Sequence, residues 1–156
     1  MPGRLSLVAV LITGAALLVS AAPASALSLG VATGATLSPF RPGQTATGTG
    51  SLTLISLGAW TLTVQDNGAG AGRMVKAGVG CNGSDAQTTN PLNVAVTGLG
   101  VTSAGTKAIG AAPVQVASGG LTAGLLMSTA YSLVIPSAQT LLTGCVYSET
   151  VTYTAQ

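Results

Sequence analysis

Five Lys or Arg, three Asp or Glu, three Tyr and two Cys are the titratable side chains of this 156-residue sequence, for it has no His. General acid–base catalysis needs two titratable groups at one cleft, and nucleophilic catalysis needs a base beside the nucleophile. The acids Asp66, Asp85 and Glu149 are scattered along the chain, and neither Lys76 nor Lys107 ends an S-x-x-K motif. Counting alone permits a Ser–Lys dyad and nothing richer, so the expectation is a protein that is not an enzyme and takes no cofactor. Asp66-Asn67-Gly68 and Asn82-Gly83-Ser84-Asp85 carry oxygen ligands but lack the convergent carboxylates of a Ca²⁺ site, and both read as turns. The glycines of Gly68-Ala69-Gly70-Ala71-Gly72 lack the Lys-Ser/Thr ending of a phosphate loop and read as a flexible connection.

The cysteines depend on the compartment, and the N-terminus speaks to that. Arg4, the apolar run Leu5 to Val19 and Ala24-Ser25-Ala26 have the order of an export leader: positive start, apolar centre, small-residue cleavage site. The apolar run is shorter than the ~20 residues a spanning helix requires. Residues 1–26 are therefore expected to be a signal peptide and 27–156 one secreted domain of 156 − 26 = 130 residues, with no membrane span. In an oxidising compartment an even pair of cysteines predicts a Cys81–Cys145 disulfide across 145 − 81 = 64 positions. Chain entropy gives such a bridge about 4 kcal/mol. Without Arg4 the charge is 4 − 3 = +1, too little for phosphate recognition, so nucleic acid is not an expected partner.

The elements that must position these groups are strands. Apolar residues alternate with Thr, Ser and Gly at Leu27-Leu29-Val31, Leu52-Leu54, Trp60-Leu62-Val64, Leu92-Val94-Val96, Val114-Val116, Tyr131-Leu133-Ile135 and Cys145-Tyr147-Val151-Tyr153. No segment of helical length keeps an apolar face free of Gly or Pro, so the fold is predicted to be all-β, a two-sheet β-sandwich of about seven to nine strands. Gly48 and Gly50 mark a bulge or a close approach within the stretch Thr45 to Leu57. Trp60, in phase with Leu62 and Val64, is expected in the core. Glu149 falls on the inward parity of the last strand. A bulge near Ser148, or an edge position that leaves its carboxylate wet, is expected there.

The run Ala59-Trp60-Thr61-Leu62-Thr63-Val64, between a Thr/Gly-rich strand and an Asp-Asn-Gly turn, resembles the proximal W-x-L motif of the WxL-type surface proteins of Gram-positive bacteria. Tyr131 to Pro136 and Gly144 to Tyr153 are similar to the closing strands of that group, whose second W-x-L is replaced here by Val151-Thr152-Tyr153. The resemblance implies an immunoglobulin-like sandwich outside the cell, held to the wall without a covalent link, with Trp60 and Leu62 as its motif residues and cell-wall glycan or a surface protein as partner. The same closing strands look like those of secreted fimbrial and spore-coat-type subunits. That likeness implies a structural subunit that donates Leu27-Ser28-Leu29-Gly30-Val31 to a neighbour.

Overall fold

The computed structural model describes residues 11–12, 27–78, 81, 86–142 and 144–156. The turn reading of Asn82 to Asp85 lies outside the described residues, as does the leader reading apart from Leu11–Ile12. The described chain is all-β, with strands β1 Leu11–Ile12, β2 Leu27–Thr33, β3 Thr45–Ser56, β4 Trp60–Asp66, β5 Val75–Ala77 and β6 Asn93–Thr97. β7 Thr102–Ser103, β8 Lys107–Ala108, β9 Val114–Gly119, β10 Thr122–Val134, β11 Val146–Ser148 and β12 Thr150–Ala155 complete it. One sheet has the order β1-β12-β4-β9-β7, a second the order β2-β3-β10-β6-β8, and β11 pairs with β5. β1 lies parallel to β12, with Leu11 opposite Thr150 and Ile12 opposite Val151. Among the described residues no helix is long and apolar enough to cross a membrane.

The alternation in the sequence builds the sandwich directly. On β4, Trp60, Leu62, Val64 and Asp66 turn inward while Thr61, Thr63 and Gln65 turn out. Leu52 and Leu54 of β3, Val94 and Val96 of β6 and Met127 and Leu133 of β10 meet them from the opposite sheet, all fully buried. Gly48 permits the close approach its position suggests: a Cβ there would lie 2.5 Å from the Thr36 carbonyl oxygen.

Two strands depart from simple alternation. β10 begins at Thr122 rather than near Tyr131, and its pairing with β3 slips between Ala123 and Leu125. Gly124, at φ +133°, absorbs the slip in a conformation other residues rarely adopt. The slip resets parity so that Met127 points in while Leu126 is left exposed. On β9 the pairing with β4 slips between Leu62 and Thr63, so both Val116 and Ala117 are buried.

β11 and β12 form one extended course interrupted at Glu149. Asp66 of β4 stands opposite Val151 and Val75 of β5 opposite Ser148. Strands β4 and β5 therefore lie in series along that course, and residues 67–74 loop out between them. The interruption corrects the expectation of a wet Glu149: the residue is only 5% exposed. Tyr147, Glu149 and Val151 keep one parity across the break, and all three are buried. Lys76 likewise belongs to a strand and is buried.

Candidate functional site

The most unusual chemistry lies at the end of the sandwich where β4, β5 and the β11–β12 break meet. Asp66, Lys76, Thr88, Gln139 and Glu149 are buried there. Three of them organise loops. Asp66 Oδ1 accepts a hydrogen bond from the Gly68 N–H at 2.6 Å and Oδ2 one from the Gly72 N–H at 2.7 Å, so its carboxylate closes the turn after β4. Thr88 Oγ1 accepts from the Met74 N–H and donates to the Asn90 carbonyl. Gln139 accepts from the Thr89 N–H and donates to the Gln87 carbonyl, tying the loop before β6 to the one after β10.

The other two make no such bonds. Both carboxylate oxygens of Glu149 and the Nζ of Lys76 are buried without a hydrogen-bond partner. Burial, and secondarily the negative charge of Asp66, push the Glu149 carboxyl up to about 8, so at neutral pH it is mostly the uncharged acid. Beside it the Tyr131 and Tyr153 hydroxyls share a hydrogen bond of 2.7 Å. Burial raises both phenols above their ordinary range, and for Tyr153 the adjacent Tyr131 adds to the effect.

The residues singled out by sequence lie in different places. Cys81 and Cys145 form a disulfide, with a Cα–Cα distance of 5.8 Å, that joins the loop after β5 to the residue before β11. It spans the strand pair that carries Lys76. Trp60 is 2% exposed and Leu62 fully buried, at the other end of β4 from Asp66. The indole packs against Gly119 so closely that a Cβ there would sit 2.5 Å from Cζ2, and its Nε1 has no hydrogen-bond partner. Trp60 is therefore a packing element, not an exposed stacking platform. Glu149 was visible in sequence as an anomaly of parity. Lys76 was not singled out as a buried group, although it shares its parity with Met74, which is fully buried.

The outer faces are chemically plain. On one sheet Thr61, Thr63 and Gln65 lie beside Thr150, Thr152 and Thr154, with Asn67 bonded to both Gln65 and Thr152. On the other, Thr45, Thr47, Thr49 and Thr53 of β3 lie beside Leu126, Ser128, Ala130 and Ser132 of β10. A shallow open depression on that face is lined by Gly34, Thr36, Thr47, Thr49, Ala130 and Ser132, without a charged group. Among the described residues no group of three or more His, Cys, Asp or Glu is placed to hold a metal ion. Comparison with protein-family models, with curated proteins and with solved structures finds no match.

Proposed function

We propose that the chain is a secreted, non-enzymatic bacterial surface domain that contacts cell-wall glycan or a surface protein through its neutral, hydroxyl-bearing sheet faces. The observation that carries this reading is where polarity sits. Most outer strand positions are filled by Thr, Ser and Gln, with Ile55, Leu126 and Val134 exposed among them, while Asp66, Lys76 and Glu149 are buried. Among the described residues the charges left outside are the exposed Arg41 and Arg73 and the half-buried Lys107. A surface of this kind binds through hydroxyls and apolar contact, with little long-range steering. The leader-like order of residues 1–26 and the W-x-L resemblance support a location outside the cell. The test is a pull-down of the protein lacking residues 1–26 with purified Gram-positive walls, against serum albumin, at ~0.05 and ~0.5 M salt. Recovery above albumin at both salt levels is expected. Recovery no better than albumin removes wall binding, and recovery abolished by salt removes the neutral-surface argument.

One observation favours the structural-subunit reading as a second choice. β2 is an edge strand with no fully buried side chain, and Leu27, Ile55, Leu57 and Leu121 are exposed near its start. A strand seated this loosely can exchange between copies. On that reading the protein lacking residues 1–26 forms oligomers, and further removal of residues 27–31 leaves it monomeric.

A further inference from the structure

From the free edge of the second sheet, we propose that two copies of the chain pair through β2, antiparallel and centred on Leu29, so that their five-stranded sheets join across a two-fold axis. An edge strand presents a row of unpaired backbone N–H and C=O groups, and folded proteins blunt such edges by keeping them short, charged or interrupted by proline. The other edges among the described residues follow that rule. Strands β1, β7 and β8 are two residues long and β5 and β11 three, with Lys76 on β5 and Lys107 on β8. β2 departs from it, running for seven residues, Leu27–Thr33, without a charge or a proline.

The side chains of β2 fit one kind of partner. Leu27, Leu29 and Val31 oppose Ser56, Leu54 and Leu52 of β3, all buried, and so stand on the inward face. None of the three is itself fully covered: Leu27 is 37% exposed, and Leu29 and Val31 are half-buried against the core. β12, the strand left at the edge of the first sheet when residues 1–26 are removed, differs, because its inward Val151 and Tyr153 are already buried. The pairing of β2 with β3 is regular from Leu27 to Val31 and slips only between Val31 and Thr33. That regular stretch is its own complement. Two copies placed antiparallel about Leu29 set Leu29 against Leu29, Leu27 against Val31 and Ser28 against Gly30, with opposed Cβ atoms about 4.5–5.5 Å apart. The apolar row of each copy closes over that of the other, and no charged side chain is buried. Main-chain hydrogen bonds supply the affinity and the apolar row supplies the register. Each β2 stays in its own sheet, which separates this contact from strand exchange, and the contact is independent of wall binding.

Sedimentation equilibrium of the protein lacking residues 1–26 tests this. Twice the monomer mass is expected, falling to the monomer mass on dilution. Leu29→Cys should crosslink to its own copy under mild oxidation, because the two positions face each other within disulfide reach. Neither Leu27→Cys nor Val31→Cys should crosslink alone, whereas an equal mixture of the two proteins should. Leu29→Lys brings two ammonium groups together at the two-fold axis and should give a folded monomer by circular dichroism and sedimentation; if that variant does not fold, the cysteine variants decide. Ser28→Cys with Ile55→Cys, which oppose each other on β2 and β3, should close a disulfide within one chain. The same disulfide formed between chains would mean strand exchange and overturn the proposal. So would a wild-type chain that is still a monomer at ~1 mM, or crosslinking at position 29 no faster than at 27 or 31 alone. Wall recovery is read separately, so failure of either proposal leaves the other standing.

Discussion

Strand β4 carries the two extremes of the molecule on one face. It starts on Trp60, wedged against Gly119 in an apolar setting, and ends on Asp66, beside the buried acid Glu149. Around Leu62 and Val64 the core is aliphatic, built by pairing strands whose inward positions are all apolar. Around Asp66 the same inward parity delivers polar groups, because the sandwich closes there with loops whose backbone donors need acceptors. Asp66, Thr88 and Gln139 meet that need, whereas Lys76 and Glu149 do not. Burial of polar side chains therefore takes two forms within one core: three hold loops in place, and two carry buried polar atoms without a hydrogen-bond partner.

The sharpest way to break this contrast is to titrate Glu149 in a Lys76→Met background, which removes the other buried charged group without a partner. Its folded value of about 8 lies well above the ordinary 4.5. Between those values the folded state holds a proton that the unfolded state has lost, so stability falls as pH rises through that window. The difference corresponds to at most about 5 kcal/mol. Denaturant midpoints of Lys76→Met at pH 5 and pH 9 should differ clearly, with pH 9 the less stable. Adding Glu149→Gln should flatten the dependence. A midpoint that does not move with pH would mean that water reaches Glu149, and the two ends of β4 would then differ less than their burial indicates.

The apolar end responds to volume, not to pH. Trp60→Ala should cost about 3–5 kcal/mol, the usual range for a large aromatic removed from a core. Gly119→Ala, which adds a methyl group against the indole, should cost about 1–3 kcal/mol. Because the two residues touch, the double variant should cost less than the sum. Urea melts of the three variants check this, and strict additivity would show that Trp60 and Gly119 do not share a packing contact.

How much of this the sequence reveals also differs between the ends. The apolar region is legible because period-2 alternation and burial are the same statement for a half-buried strand, as at Trp60-Leu62-Val64. The start of β10 escapes such a reading, since the irregularity at Gly124 exchanges the two faces and Leu125-Leu126-Met127 no longer alternates. The polar end is legible only as a contradiction, a carboxylate at an inward position. Resolving it requires knowing that 67–74 loop out opposite Glu149, which depends on the pairing of β4 and β5 with one strand course. Pairing across so many residues leaves no local trace. The short strands β5, β7 and β8 are invisible for a related reason: two or three residues are too few to show a period.

The smallest expected effect lies midway between the ends, at the hydroxyl pair of Tyr131 and Tyr153, which joins the two sheets across 2.7 Å. Both rings are almost wholly buried, so their packing follows the apolar rule while their oxygens follow the polar one. Tyr131→Phe strands the Tyr153 hydroxyl, and Tyr153→Phe strands that of Tyr131. Each single change should cost about 1–3 kcal/mol, the penalty for a buried group left without its partner. Removing both hydroxyls takes away the bond and the unmet need together, so the double Phe variant should be close to wild type. A double-mutant cycle from thermal or urea unfolding at pH 6, where both phenols are protonated, measures the coupling. Additive costs would show that the hydroxyls are satisfied separately. A near-neutral double variant would show that the centre of the core tolerates an apolar replacement, in contrast to the Asp66 end, where the loop N–H groups would be left without an acceptor.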